Sequence, residues 1–509
     1  MPAVVETKNP STQPEKETPP TATHREVAFD VADPHNPQEW PAVKRWRVLA
    51  VALFITFTSC YNSTGNGAAK SGVMKEFGIS EDVFQVSSFA YQLMLGVGPL
   101  FLAPISETFG RRPMLVALTA IITVLFLPQA LAPNYASLCA TRFFQGACGS
   151  VEGPVISGIV ADMWPKRTRG RAMAIFVATV FAANSCGVVI STWMAERVSW
   201  RWIYWLQMIT CGTSCLLVIL FLPETRGELI LSKRADALTK ETGEQHYIRG
   251  GDRFDGFLEK VKVSSTRPLV YLATEPAVLG CATWVGCMWG IVFLFTGAVT
   301  LVFKNTYPTT MSSGYGATTQ LTGLIGALFG VLENELIQEP LYRRAVKQGG
   351  GKAKPEARLY SSVGGALCFA IGTLCFGWTA RPHIHWIAPC IFLAMAQFGL
   401  YIIYLATYNY LAEVYDRYSS SAQAAQSLLR GIMGAVFPFF ALKLYERLSY
   451  PDASTVIACV GFAFVAMPLA LIRYGATLRT RSKVAQQLSH EEGEVLHDGE
   501  EDAVIARIP

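Results

Sequence analysis

The sequence predicts an all-α integral membrane protein, with twelve transmembrane helices in two six-helix halves. Three observations carry that expectation. Of 509 residues, 51% are hydrophobic and only 16% charged, with a mean hydropathy of +0.30. A soluble chain carries nearer 25% charge, so too few charges are left here to coat a water-facing surface. Apolar segments of about 20 residues, the length that crosses a hydrocarbon core, recur at a regular pace. The basic residues also sort into alternate connecting segments, as the positive-inside rule requires.

Taken in order, residues 1–46 are polar and hold eight prolines between Pro2 and Pro41. That composition cannot build a core and reads as a disordered tail. Apolar runs follow near 47–68, 84–105, 113–132, 138–161, 172–194 and 202–222, forming an amino-terminal half over 47–222. A polar stretch, 223–276, contains LILSKRADALTKET at 229–242, whose apolar spacing predicts a helix lying on the membrane surface. Six more runs, near 277–301, 318–338, 359–380, 385–411, 421–443 and 453–474, form the second half over 277–474. Residues 475–509 form an acidic tail. With the amino terminus placed in the cytoplasm, inside segments hold 33 Lys and Arg and outside loops hold 8. Both termini are therefore expected in the cytoplasm. Two six-helix halves are a recurrent secondary-transporter layout.

Other classes find little support. A net charge of +5 is too mild and scattered for nucleic-acid binding. The twelve cysteines lie almost wholly in apolar runs and read as small packing residues. No Cys/His metal spacing and no phosphate-binding Gly-rich loop occurs, so neither a metal, a cofactor nor ATP hydrolysis is expected, nor is an enzyme. The tails are too short for the ordered extension of a transporter-like receptor, which stays as a remote alternative.

The loop after the second run, GPLFLAPISETFGRRPMLV at 98–116, has chemistry of its own. Gly110 permits a tight turn, Pro113 suits a first helical turn, and Glu107 can pair with Arg111 or Arg112. This segment resembles the loop motif of the major facilitator superfamily, in the form typical of fungal drug:proton antiporters. DPHNPQEW at 33–40, RFFQGACGS at 142–150, ADMWPKRTRGRAM at 161–173, SWRWIYWLQMI at 199–209 and LPETRGELIL at 222–231 are similar to further motifs of that family, in order. So are PEARLY at 355–360, FGWTA at 376–380 and NYLAEVYDRYSSSAQAAQSLLR at 409–430. The resemblance implies a monomeric, proton-driven exporter of a small organic molecule, working by alternating access. Facilitated transport or symport of an organic acid or polyamine is the alternative. It also implies a conformational latch in which Glu107, Arg111 and Asp162 hold one half against the eleventh span, joined by Arg169 and Arg171. The plasma membrane is the expected location, with the vacuolar membrane as the alternative.

Two charges in spans stand out, because an ionisable group there is costly and faces protein or a water-filled cavity. Arg142 begins the fourth span near its outer end. In the family, the arginine here is associated with proton coupling or substrate handling. Glu152 sits midway along the same span in GSVEGPVIS, where the family usually has a small or neutral residue. It is expected to bind a proton or a cationic substrate group, or to rest as a neutral acid bonded between helices. Asn184 falls in the fifth span, where the antiporter motif G-P-x-x-G-P-x-x-G-G is replaced by ANSCGVVIST at 183–192. Both prolines are gone and only Gly187 stands in its place. Close packing through Ala183, Gly187 and Ser191 is still expected. This departure sets facilitation and symport beside proton antiport. Tyr61, Asn62, Asn66, Tyr91, Gln92, Trp284 and Trp289 are further cavity candidates, together with Gln397, Tyr401, Tyr404 and Tyr408, which follow one helical face. Arg430 is read as structural or gating, near the cytoplasmic end of the eleventh span.

Overall fold

A computed structural model describes residues 25–29, 33–165, 168–243, 246–247, 257–308, 313–350, 354–415 and 418–482. The acidic tail beyond 482 and residues 1–24 lie outside the described residues.

Twelve helical passes are laid out in the expected order. The first half comprises α1 (Ala42–Gly65) continued by α2 (Lys70–Phe77), α3 (Glu81–Phe109), α4 (Arg111–Ala130), α5 (Tyr135–Gly149) with α6 (Glu152–Met163), α7 (Arg169–Arg197) and α8 (Trp200–Phe221). The connecting stretch holds α9 (Gly227–Thr242) and α10 (Phe257–Thr274). The second half comprises α11 (Pro276–Thr306), then α12 (Ser313–Thr318), α13 (Thr322–Glu333) and α14 (Glu339–Gln348) as one interrupted pass, α15 (Tyr360–Thr379), α16 (Ile387–Val414), α17 (Ser419–Arg447), and α18 (Tyr450–Phe464) with α19 (Ala466–Arg481). Eight stretches among the described residues are long and apolar enough to cross a membrane by length and composition. The four remaining passes are α3, α5–α6, α12–α14 and α17.

The halves repeat one packing scheme. First pass packs on fifth and third on sixth, as seventh packs on eleventh and ninth on twelfth. The halves meet where α3 lies along α17 and α7 along α13. Apolar side chains such as Val124, Leu220, Phe329 and Ile391 face outward, as lipid rather than water would favour.

Four features depart from the sequence expectation. First, the fourth pass is broken: α5 ends at Gly149 and α6 starts at Glu152. Pro154 has no N–H to offer the Ser150 carbonyl, so the helix re-nucleates and places Glu152 in a new first turn. Second, α10 occupies a stretch read as loop. It packs on α3 and α17, with the Arg267 guanidinium 4.2 Å from the centre of the Tyr418 ring and the Tyr271 and Tyr415 rings 5.5 Å apart. Third, the eighth pass contains a π-helical turn, Asn334–Gln338, that places the buried Asn334 amide against no hydrogen-bonding protein partner.

Fourth, the segment before the first span is structured from residue 25 through Glu26, and again from Asp33 onward. Strand β1 (Arg25–Glu26) pairs in parallel with β2 (His246–Tyr247) of the connecting stretch. Asp33 bonds Arg234 on α9 at 2.7 Å. Trp40 is buried and donates to the Pro34 carbonyl at 3.1 Å, and Asn36 caps a short turn begun by Pro37. Of the prolines that signalled disorder, the described Pro34, Pro37 and Pro41 hold turn and extended conformations that need little ordering entropy. The His35 backbone N–H, aided by Arg234, holds the Asp33 carboxyl below its ordinary value of 3.8. Its contribution to this strap is therefore complete above that value and lost only as pH falls through the lowered one. Neutral pH thus keeps the strap closed. Asp33→Asn or Arg234→Ala should speed amide hydrogen exchange at Glu26 and His246 several-fold while leaving exchange in α1 unchanged.

A central chamber beneath an open vestibule

Charge placement on the face that carries the described terminal segments is built by local geometry. Gly110 joins α3 to α4 with φ of +100°, a region open to glycine, and a Cβ there would meet the Glu224 carboxylate. Glu224 lies after α8 and accepts the backbone N–H groups of Arg111 and Arg112, both at 3.2 Å, capping α4 from a distant segment. The Arg111 guanidinium pairs with Asp162 at 2.6 and 3.3 Å and donates to the Val155 carbonyl at 3.3 Å. Arg112 donates to the Ile219 carbonyl at 2.9 Å, and Arg169 to the Trp164 and Ala161 carbonyls.

Among the described residues, the Arg111–Asp162 network ties the third, fourth and sixth passes within one half. The Glu107 side chain lies outside the described residues. Arg171 does cross between halves, pairing in a two-point contact with Glu335 at 2.7 and 2.9 Å. Ser157 donates to the Gln423 side-chain oxygen at 3.2 Å, and the Tyr401 hydroxyl to the Ala174 carbonyl at 2.8 Å, closing the same side. Glu224 was not singled out from the sequence, although it lies in the LPETRGELIL segment at 222–231.

The two ion pairs should differ in strength. The Arg111 and Asp162 side chains are 11% and 21% exposed, against 62% and 28% for Arg171 and Glu335. Double-mutant cycles on thermal unfolding should give the exposed pair under about 1 kcal/mol. The screened, multiply bonded pair should give about 2 kcal/mol.

The opposite side is open. A vestibule of about 710 Å³ enters between the halves, walled by α1, α2, α3, α5, α7, α11 and α17. Its rim carries Lys70, Glu81, Glu196 and Lys304, and deeper in it present Gln92, Tyr91 and Arg142. Arg142 is 1% exposed; its guanidinium stacks 4.1 Å from the Tyr91 ring centre and donates to the Asn62 carbonyl at 3.2 Å. Gln92 donates to Ser63 at 3.2 Å.

Ser63, Tyr91 and Phe293 wall both the vestibule and a smaller chamber of about 60 Å³ below it. Glu152, Tyr404, Trp289, Asn184 and Arg430 line that chamber. Glu152 is 4% exposed, and its Oε2 has no hydrogen-bonding protein partner. Arg430 donates to the Tyr404 hydroxyl at 3.4 Å and lies 5.6 Å from the Trp289 ring centre. The structure therefore moves Arg430 from the end of its span to the centre of the protein. The rule that flagged Arg142, a charge inside an apolar run, applies to it equally.

The other expected residues divide. Gln397 and Asn184 line a side recess of about 20 Å³ with Gln320. The Asn184 amide donates to Val180 of its own helix at 2.9 Å. Asn62 contributes its main-chain carbonyl to Arg142, and neither it nor Asn66 is among the residues walling these cavities. The Asn66 carbonyl oxygen accepts from the Tyr204 hydroxyl at 2.8 Å inside the first half. Tyr401 is buried between α7 and α16, and Trp284 is core. Ala183, Gly187 and Ser191 are all buried, with Gly187 seated on Tyr61 and Thr64 of α1. The small-residue face is thus present although α7 carries no proline kink.

Two related helical bundles around a polar chamber, open to one side at a time, are the architecture of a secondary transporter. The chain belongs to the Major Facilitator Superfamily, whose family profile matches residues 52–438. It is 33% identical over 462 residues to the MFS-type efflux pump MFS2 of Trichophyton rubrum, covering 90% of this chain and 77% of that one. It is 30% identical over 464 residues to the multidrug transporter mdrA of Aspergillus fumigatus, covering 90% and 76%. The fold also matches the human organic anion transporter MFSD10, with a TM-score of 0.56 and 15% identity over 84% of this chain and 100% of that one. The proton:xylose symporter XylE gives a TM-score of 0.61 at 14% identity over 86% and 96%. The protein is a multi-pass membrane transporter of small organic solutes, not an enzyme.

Proposed function

We propose that the protein exports a small organic molecule in exchange for protons, by alternating access, across the plasma membrane with both termini in the cytoplasm. The observation that carries this reading is the buried Glu152 carboxylate facing the chamber between the halves. A carboxylate at that depth costs about 3 kcal/mol or more unless it is neutralised. Proton binding neutralises it when the substrate is absent. The efflux pumps among its relatives support the direction. On this reading the vestibule faces outside, and the Arg171–Glu335 and Ser157–Gln423 contacts hold the cytoplasmic side shut.

Facilitated movement is the second reading. It is favoured by α7, which runs unbroken over Arg169–Arg197 without the prolines of the antiporter motif. Purified protein in vesicles with an imposed pH gradient separates the two, with rhodamine 6G as the probe. Concentration of the dye against its own gradient, abolished by a protonophore, is the expected result. Dye movement that stops at equal concentrations whatever the gradient would replace exchange by facilitation.

A further inference from the structure

The chamber is lined by one acidic and one basic side chain, and among the described residues they are not paired with each other. Glu152 comes from α6 of the first half and Arg430 from α17 of the second. Among the described residues Arg430 makes no ion pair; its contacts are the Tyr404 hydroxyl and the Tyr404 and Trp289 rings. Glu152 keeps Oε2 without a protein partner at 4% exposure. An acidic and a basic group that line one buried chamber without joining each leave part of their bonding capacity unused. A ligand carrying the complementary pair would satisfy both at once.

Resting on the transporter reading above, we infer that the chamber is a head-group subsite for a zwitterion. An ammonium lies on Glu152, and a carboxylate lies on Arg430 with the Tyr404 hydroxyl beside it. The chamber's volume of about 60 Å³ matches such a head group rather than a whole organic substrate, displacing about four waters. The remainder of the substrate rises past Tyr91 and Phe293 into the vestibule, because those residues wall both spaces. Two aromatic rings at that passage suit an apolar or aromatic tail. The rim offers both signs as well, through Lys70, Glu81, Glu196 and Lys304, so neither end of a zwitterion is repelled on approach. The ammonium and the exchanged proton then compete for one carboxylate, which couples the two movements without a second acidic group. Arg430 and Glu152 belong to different halves, so the ligand also bridges the elements that must rock together.

The test uses three probes of one shape: phenylalanine, its amide, which keeps only the ammonium, and 3-phenylpropionate, which keeps only the carboxylate. Binding to the purified full-length protein is read by tryptophan fluorescence, Trp289 being in the chamber wall, and transport is read in vesicles. Phenylalanine should bind at least about tenfold more tightly than either single-charge probe. Glu152→Gln should remove that advantage over phenylpropionate, and Arg430→Gln should remove it over the amide. Glu152→Asp and Arg430→Lys should recover part of each, which separates charge recognition from misfolding. Equal binding of all three probes, no binding of any, or equal loss of all three in both variants overturns the zwitterion subsite. If rhodamine 6G is still concentrated in vesicles of the unsubstituted protein, only the subsite has failed. If no compound moves, the transport reading has failed with it.

Discussion

Vesicles carrying Glu152→Gln should bring rhodamine 6G only to equal concentrations on the two sides, whatever the pH gradient. Each pH unit across a membrane is worth about 1.4 kcal/mol per proton, so one-for-one exchange over two units sustains roughly hundredfold accumulation. The amide keeps the shape and polarity of Glu152 but can neither release nor take up a proton. The loss is therefore from about a hundredfold to none, while downhill exchange continues. Glu152 is buried in the chamber wall, with Oε2 free of protein partners, so the variant breaks no hydrogen bond at that atom. Undiminished concentration of the dye by Glu152→Gln would remove the residue from the coupling step.

Gly431→Val should have the other large effect, on which side is open. Gly431 and Gly96 bring α17 and α3 into backbone contact at the seam between the halves. A Cβ on Gly431 would fall 2.4 Å from the Gly96 Cα and 2.6 Å from its nitrogen. Backbone atoms cannot swing away as a flexible side chain can, so the helices must part. Overpacking of this kind costs about 1–3 kcal/mol, enough to shift a two-state equilibrium about 5- to 150-fold. The cost falls on the arrangement described here, in which the two helices touch. Disulfide cross-linking of Arg171→Cys with Glu335→Cys, at positions paired across the closed side, should slow by up to that factor in Gly431→Val and by less in Gly431→Ala. An unchanged rate would show that the seam tolerates a side chain and does not set the equilibrium.

Much of the site was legible because membrane burial makes charge conspicuous. Arg142 and Glu152 stood out as ionisable groups in apolar runs, and each lines one of two adjoining cavities. Arg430 obeys the same rule, yet it was placed at a span end, because a residue's depth depends on where its helix enters the membrane. The stripe of Gln397, Tyr401, Tyr404 and Tyr408 runs along α16. Along it, Tyr404 borders the chamber, Gln397 borders a recess and Tyr401 bonds the backbone of α7. Periodicity assigns a face to a helix, but the neighbouring helix decides whether that face meets a cavity or another backbone.

The sequence by itself determined the number of passes and their division into two halves. These follow from hydropathy and chain length, which act locally along the chain. Tertiary structure alone decided the break before Glu152, the capping of α4 by Glu224, the pairing of Arg25–Glu26 with His246–Tyr247, and the meeting of Glu152 with Arg430 in one chamber. Each of the last three joins residues more than a hundred positions apart. The break needs Ser150 and Pro154 to sit where protein and cavity surround the interrupted backbone rather than lipid. Such contacts depend on how whole helices pack, and packing is a property of the assembled bundle.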